Sequence, residues 1–189
     1  MVSLSLDLET LGTSPGCAVI SIGACFFDED NGKVVAKLHH LLRIDEQLMF
    51  GMSVSQDTLE WWGRQSKECK ESTLGLNPCR VTEALESLNV MFKTFKAKRV
   101  WGHGSVFDVS ILQKLYEKFN IEVPWRYQDV RDTRTLFDLA SRVDPCFDCE
   151  YEYDTESMIP HVALTDSINQ ANNVHRAIKL ISSFRIDEI

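Results

Sequence analysis

The sequence predicts a single α/β domain with a mixed five-stranded sheet and helices on both faces. Two observations support this fold class. The first 43 residues contain three apolar segments joined by turns, a pattern typical of antiparallel strands. Beyond residue 50, apolar residues recur at helical spacing, and these stretches alternate with short strand-like segments. A chain of 189 residues is long enough to bury one sizeable core, so we predict one domain over residues 1–189.

The three N-terminal strands are predicted at residues 1–8, 17–27 and 33–43. Residues 1–8 alternate small or polar with apolar side chains, whereas residues 17–27 are almost continuously apolar, as in a central strand. Turn-forming residues separate the first two strands, and an Asn-Gly pair precedes the third. These turns predict an antiparallel meander.

The remaining elements are predicted from helical periodicity and from turn signals. One helix begins near Ser55 and ends near Ser66, and Ser105 with Asp108 resembles a capping pair for another helix that ends near Phe119. Residues 141–158 are acidic and lack a period, so we predict an insertion or a mobile loop there. The other helices are predicted at 81–96, 133–140 and 163–184, and short strands at 98–102 and 129–132.

Composition and charge exclude several classes of protein. The longest apolar runs are too short to span a bilayer, and no basic region precedes an apolar stretch at the N-terminus, so we expect no membrane partner and no signal peptide. The net charge of −8 argues against a large, non-specific duplex-binding surface. It is compatible with a protein that holds a few terminal nucleotides and has an acidic site for cations.

The six cysteines are scattered, except for a CxxC spacing formed by Cys146 and Cys149. A lone CxxC without a second ligand pair is a weak indication of zinc. We therefore predict free thiols in a reducing cytoplasm. A zinc-binding interaction protein that uses Cys146 and Cys149 is kept as an alternative.

Four carboxylates are candidates for metal binding. Alternation along the first strand places Asp7 and Glu9 on one face, where they repel each other unless a cation neutralises them. Asp108 follows a strand end, where open α/β sheets bind their ligands, and Asp166 lies near the start of the last helix. Such carboxylates can hold two divalent cations. The alternatives are a solvent-facing strand edge for Asp7 and Glu9, and a helix N-terminal acid for Asp108.

His161 precedes Asp166 by five positions, which on one straight helix would turn the two side chains about 140° apart. Both can serve one site only if His161 lies on the loop or on the first turn, and Pro160 favours that arrangement. A histidine at the start of a helix suits a general base that takes a proton from water. The alternative is a surface histidine without function.

These residues together resemble the three motifs of the DEDDh exonucleases, with D-L-E-T at 7–10, F-D at 107–108 and H-x-x-x-x-D at 161–166. Val162 stands where the related subclass has tyrosine, which favours the histidine subclass. Residues 58–66 further resemble a subgroup found in bacteria and phages, the Rv2179c-like exoribonuclease family. One departure is Gly104, where many members of the family carry asparagine.

The resemblance implies a ribonuclease H-like fold and two Mg²⁺ or Mn²⁺ ions held by Asp7, Glu9, Asp108 and Asp166, with His161 as the general base. The implied reaction hydrolyses terminal phosphodiesters of single-stranded nucleic acid from a free 3′ end and releases nucleoside 5′-monophosphates. RNA is slightly favoured over single-stranded DNA. A non-catalytic nucleic-acid-binding module on the same fold and a ribonuclease H-type endonuclease are the alternatives.

The resemblance also implies residues that contact the substrate. Thr10 and Leu11 would lie at the terminal ribose and base, and Phe107 would pack beneath the site. One of Trp61 and Trp62 is expected in the core, and the other could stack on a base. A homodimer is possible, and we expect a bacterial protein or a phage protein in the cytoplasm of its host.

Overall fold

A five-stranded mixed sheet organises the chain in a computed structural model, which describes residues 1–75, 77–147 and 159–183. The strand order is β3-β2-β1-β4-β5, with antiparallel pairing from β1 to β3 and parallel pairing from β1 through β4 to β5. The predicted sheet is therefore confirmed. The strands are β1 (Val2–Thr10), β2 (Val19–Asp28), β3 (Val34–Leu41), β4 (Val100–Gly102) and β5 (Val130–Asp132).

Seven α-helices are present in the described part of the chain, and five of them were predicted. The two short helices α1 and α3 were missed because six or seven residues are too few to establish a helical period. The α-helices are α1 (Ile44–Met49), α2 (Gln56–Gly63), α3 (Lys67–Thr73), α4 (Val81–Thr94), α5 (Asp108–Lys118), α6 (Thr133–Val143) and α7 (Ala163–Ser183).

Two details of the prediction change. Residues 141–143 belong to α6, so the predicted loop at 141–158 begins too early, and its part from 148 to 158 lies outside the described residues, as does position 184. The capping pair of Ser105 and Asp108 was wrong. The helix α5 begins at Asp108 with Phe107 at the N-cap, and no side chain caps it. The backbone N–H of Ser105 instead donates to the Asp132 carboxylate at 2.5 Å.

The side chains of β1 divide between the two faces of the sheet. Leu4, Leu6 and Leu8 are buried in the larger core, which α4 and α5 cover. Ser5 lies on the opposite face and hydrogen-bonds to Gln170 of α7. Because α6 and α7 cover that second face around a smaller apolar cluster, helices flank the sheet on both sides, as predicted. No helix in the described ranges combines the length and the apolarity needed to cross a bilayer.

Gly23 sets how closely α7 approaches the sheet. It pairs with Asp7 across the β1–β2 ladder, and a Cβ added to it would lie 2.0 Å from the carbonyl carbon of Ala163. The first turn of α7 can therefore sit on the sheet only where β2 has no side chain. This contact brings Asp166, which lies in the same first turn of α7, to the sheet beside Asp7.

Candidate active site

All five predicted site residues line one cavity of about 330 Å³ at the carboxyl ends of β1 and β4. Asp7 and Glu9 come from β1, Asp108 is the first residue of α5, and His161 and Asp166 come from the start of α7. The parallel pairing of β1 with β4 places both strand ends at the same edge of the sheet. The cavity is also lined by Leu8, His103, Phe107 and Arg134.

Asp7 is held by a residue that the sequence did not suggest. The side-chain amide of Gln170 donates to Asp7 Oδ1 at 2.8 Å, and Gln170 itself is only 2% exposed. Gln170 lies four residues after Asp166, on the same face of α7, and this spacing is the signal that could have identified it. The two residues together direct one face of α7 at the end of β1.

Three of the four carboxylates in the cavity have raised pKa values, chiefly because they are buried. Burial raises the pKa of Glu9 to about 8, with repulsion from Asp166 and Asp108 acting in the same direction. Burial also raises the pKa of Asp108 to about 8, although hydrogen bonds with the backbone oppose it. The pKa of Asp7 is raised well above its ordinary value by burial and by the neighbouring carboxylates. Positive charge in the cavity would favour the ionised forms.

The donor set of the cavity fits hard divalent cations. Glu9, His161 and Asp166 each offer one ligand atom, and these atoms lie within 4.8 Å of one another. Asp7 and Asp108 line the same cavity and add two further carboxylates. Oxygen ligands are those that Mg²⁺ and Mn²⁺ prefer. By contrast, Cys146 is an exposed free thiol and Cys149 lies outside the described residues, so the described part of the chain offers no thiol cluster for zinc.

His161 lies on the loop before α7, as predicted, and contacts with several segments hold its backbone and ring. Its φ of +60° is left-handed, a conformation that non-glycine residues rarely adopt. The Thr73 hydroxyl donates to its carbonyl oxygen at 2.9 Å, and its own N–H donates to Asp166 Oδ2 at 3.1 Å. The ring of Trp61 meets the imidazole edge-on, with 4.9 Å between centroids. The exposed imidazole therefore stands on a fixed backbone.

A second, more apolar cavity of about 410 Å³ adjoins the first. The two cavities share Leu8, Glu9 and Phe107, so they form one continuous depression. An acidic compartment therefore opens directly onto a compartment of suitable size and polarity for a nucleoside. The other residues that line the second cavity are Thr10, Gly12, Thr13, Asp57, Thr58, Trp61 and Trp62.

Some of the predicted substrate-binding residues line the second cavity, and others are buried in the core. Trp62 is 4% exposed, and its indole N–H donates to the carbonyl oxygen of Thr10 at 2.9 Å, which confirms that one of the two tryptophans is a core residue. Trp61 is only partly buried and lies between the two cavities, in contact with His161. Leu11 is buried in the larger core and does not line the second cavity, so its position does not support the predicted contact with a base.

The sequence of residues 2–178 matches the family described as the 3′-5′ exoribonuclease Rv2179c-like domain. No curated protein matches the chain. Among solved structures, the cell-death related nuclease 4 (CRN-4) superimposes with a TM-score of 0.67 at 16% identity over 94% of this chain and 64% of that one. The chain thus spans slightly less than two thirds of CRN-4.

Two further structures share the fold. The nuclease domain of 3′hExo, a DEDDh family member bound to rAMP, has a TM-score of 0.57 at 14% identity, over 94% of this chain and 92% of that one. E. coli exonuclease I in complex with a dT13 oligonucleotide has a TM-score of 0.64 at 16% identity, over 99% of this chain and 41% of that one. The fold is therefore that of the ribonuclease H-like exonucleases, as predicted.

Proposed function

The chain belongs to the Rv2179c-like 3′-5′ exoribonuclease domain family, and from this premise we propose that it removes nucleotides one at a time from the 3′ end of single-stranded RNA. It is a nuclease of the DEDDh type, and its structural neighbours are exonucleases. One observation supports the proposed site most strongly. Four carboxylates and one histidine, from segments up to 159 positions apart, line a single cavity.

The carboxylates Asp7, Glu9, Asp108 and Asp166 would hold two Mg²⁺ or Mn²⁺ ions. Such ions, when bound, would stabilise the negative charge that develops on the phosphate and on the attacking and leaving oxygens. Support for this role comes from the raised pKa values of Asp7, Glu9 and Asp108, because a cluster that resists ionisation on its own is stabilised by cations.

His161 acts as the general base in this proposal. Its exposed imidazole accepts a proton from the attacking water, and the resulting imidazolium is stabilised by the carboxylates of Glu9 and Asp166, whose oxygens lie within 4.8 Å of a ring nitrogen. The water oxygen forms a new bond to phosphorus as the bond to the 3′ oxygen of the preceding nucleotide breaks. The products are a nucleoside 5′-monophosphate and a strand that is one nucleotide shorter.

The terminal nucleoside occupies the apolar cavity, which places the scissile phosphate at the boundary shared by Leu8, Glu9 and Phe107. Of the two tryptophans, Trp61 is the one available to the base or ribose, because Trp62 is buried. Stacking on an aromatic side chain contributes about 1–3 kcal/mol per base. Thr10 also lines this cavity.

RNA is the proposed substrate on the strength of the family, which is one of exoribonuclease domains. Single-stranded DNA is the second candidate, because E. coli exonuclease I shares the fold and was crystallised with an oligo-dT. The two substrates differ in the 2′-hydroxyl of the terminal ribose, so a contact with this group distinguishes RNA from DNA. A homodimer and a cytoplasmic location stay predictions, and light scattering of the purified protein tests the first.

Product analysis tests the proposed function. RNA and DNA strands of one sequence, each labelled at the 5′ end, are incubated with the protein in Mg²⁺, in Mn²⁺ and in EDTA. We expect a ladder of shortened labelled products, fastest for RNA, that is absent in EDTA and with Asp7→Ala. A single internal cut, or binding without cleavage under every condition, would overturn the exonuclease assignment.

A further inference from the structure

The turn after β4 is attached to the start of α6 by side chains from both segments. His103 Nδ1 lies 2.9 Å from the hydroxyl oxygen of Thr133. The N–H of Ser105 donates to Asp132 Oδ2, and the other oxygen of that carboxylate accepts the N–H of Arg134 at 2.9 Å. These bonds fix the first turn of α6 against the turn that precedes Asp108. This attachment holds the first turn of α6, and the side chains that it directs towards the turn before Asp108, at the edge of the acidic cavity.

Arg134 is such a side chain, and it occupies space that a glycine leaves open. Gly104 has a φ of +88°, and a Cβ added to it would lie 3.2 Å from Arg134 Nη1 and 3.3 Å from Cζ. The guanidinium group therefore packs on the bare backbone of Gly104 and lines the acidic cavity together with Asp7, Glu9 and Asp108.

The packing on Gly104 leaves the hydrogen-bond donors of the Arg134 guanidinium group without a partner among the described residues. Within the described residues it forms neither an ion pair nor a side-chain hydrogen bond, although it lines a cavity that contains four carboxylates. Other arginines of the chain do form such bonds. Arg126, for example, donates twice to the Asp129 carboxylate, and Arg99 donates to Glu29. A guanidinium group that keeps its donors free fits a phosphate, which accepts two parallel N–H bonds.

The position of Arg134 identifies which phosphate it meets. It lines the acidic cavity but not the apolar cavity, where the proposed function places the terminal nucleoside. The strand therefore runs from the apolar cavity, past the scissile phosphate at Glu9 and Phe107, towards the side of Arg134 and His103. We propose that Arg134 binds the phosphate one position to the 5′ side of the scissile bond, an inference that rests on the proposed function.

Two dinucleotides that differ by one phosphate test the contact between Arg134 and this phosphate. The dinucleotide pApA carries a 5′-phosphate at the proposed position, whereas ApA lacks it, and both contain the same scissile bond. We expect wild-type protein to cleave pApA with a kcat/KM at least about 10-fold above that for ApA, the effect of a charge-assisted hydrogen bond. Arg134→Ala should abolish this preference, because the value for pApA should fall about 10-fold further than the value for ApA.

Two further variants control the measurement. Arg134→Lys keeps a positive charge and should retain part of the preference for pApA. Arg142→Ala removes another arginine of α6, which is 74% exposed and pairs with Asp138, and it should keep the full preference. Thermal melting of each variant establishes that it is folded.

The outcomes separate the two proposals. If wild-type protein cleaves neither dinucleotide nor any longer strand, the proposed function fails. If wild-type protein is active but Arg134→Ala retains the preference for pApA, or loses activity on both dinucleotides equally, the phosphate contact is overturned and the exonuclease assignment stands.

Discussion

The site combines two kinds of support, a sheet strand for the carboxylates of Asp7 and Glu9 and a loop for the histidine. Asp7 and Glu9 project from the central strand of the sheet, where alternation alone places them on one face. His161 stands on a loop with a left-handed backbone, and the hydroxyl of Thr73 and the ring of Trp61 hold it in place. Asp7 and Glu9 share the stability of the sheet, whereas the position of the imidazole depends on a few contacts from distant segments.

This difference predicts that the two regions respond differently to mutation. Losing a carboxylate should change metal binding, and it should also relieve repulsion within the fold. Changes at the histidine or at its supports should alter the rate and leave the metal site intact. The following predictions test this division, beginning with the largest effect.

Asp7→Asn should reduce exonuclease activity by roughly 10³-fold or more, because it removes charge from the centre of the carboxylate cluster where catalytic charge stabilisation is expected. Single-turnover rates on a 5′-labelled oligonucleotide measure this loss, and calorimetry with Mn²⁺ should show weakened binding. Asp138→Asn, at a carboxylate that is 61% exposed on α6, serves as the control and should behave like wild type. If Asp7→Asn had wild-type activity, the assignment of Asp7 to the catalytic site would be wrong.

His161→Ala should reduce the single-turnover rate by about 10²-fold or more, the contribution typical of a general base. Binding of Mn²⁺ should stay within a few-fold of wild type. Since the imidazole lies within 4.8 Å of the oxygens of Glu9 and Asp166, a ligand role is the competing interpretation. Equal losses of rate and of metal affinity would favour the ligand role over the base.

The metal-free protein should lose stability as the pH rises from 5 to 9. The pKa values of Glu9 and Asp108 are about 8 in the folded state, well above those of an unfolded chain, so the folded state binds these protons more tightly. The stabilisation of the folded state by these two protonated carboxyl groups is complete below their unfolded pKa of about 4. It is lost as the pH rises through their pKa in the folded state.

Thermal melting in EDTA measures this effect, which we expect to be at least about 1 kcal/mol, or roughly 2–4 °C in Tm for a chain of this size. Mg²⁺ or Mn²⁺ should raise the Tm most at the alkaline end. Asp7→Asn should flatten the pH dependence by removing one of the interacting carboxylates. A Tm in EDTA that is constant or that rises from pH 5 to 9 would contradict the electrostatic description of the cavity.

Thr73→Val should produce the smallest effect, a fall in kcat of about 2–10-fold, the equivalent of one hydrogen bond. The substitution keeps the volume of a fully buried side chain and removes the donor to the carbonyl oxygen of His161. Neither Mn²⁺ affinity nor KM should change, and the substitution should have no effect when added to His161→Ala. Thr94→Val, at an exposed position at the end of α4, is the matched control.

The sequence predicts the sheet and the carboxylates because both depend on local patterns. Alternation along β1 places Asp7 and Glu9 together, and turn residues mark the ends of β1 and β2. The placement of His161 outside α7 also follows from a local signal, since Pro160 precedes it and five positions separate it from Asp166.

The parts that the sequence does not reveal depend on contacts between distant segments. The helix α3 is too short to show a period, yet it contributes Thr73 to the histidine loop. Gln170 is one of several polar residues on α7, and only the packing of α7 on Gly23 shows that it meets Asp7. Arg134 follows a strand of three residues, and only the folded turn at Gly104 shows that it enters the cavity.

A double-mutant cycle between the two regions tests the central claim most directly. Single-turnover rates are measured at saturating Mn²⁺ for wild type, Glu9→Gln, His161→Ala and the double variant. If the strand and the loop serve one reaction, the double variant should be nearly as fast as the slower single variant, because residues that act as a unit have non-additive effects. If the rate loss of the double variant equals the product of the two single losses, Glu9 and His161 act independently. That result would contradict a shared site.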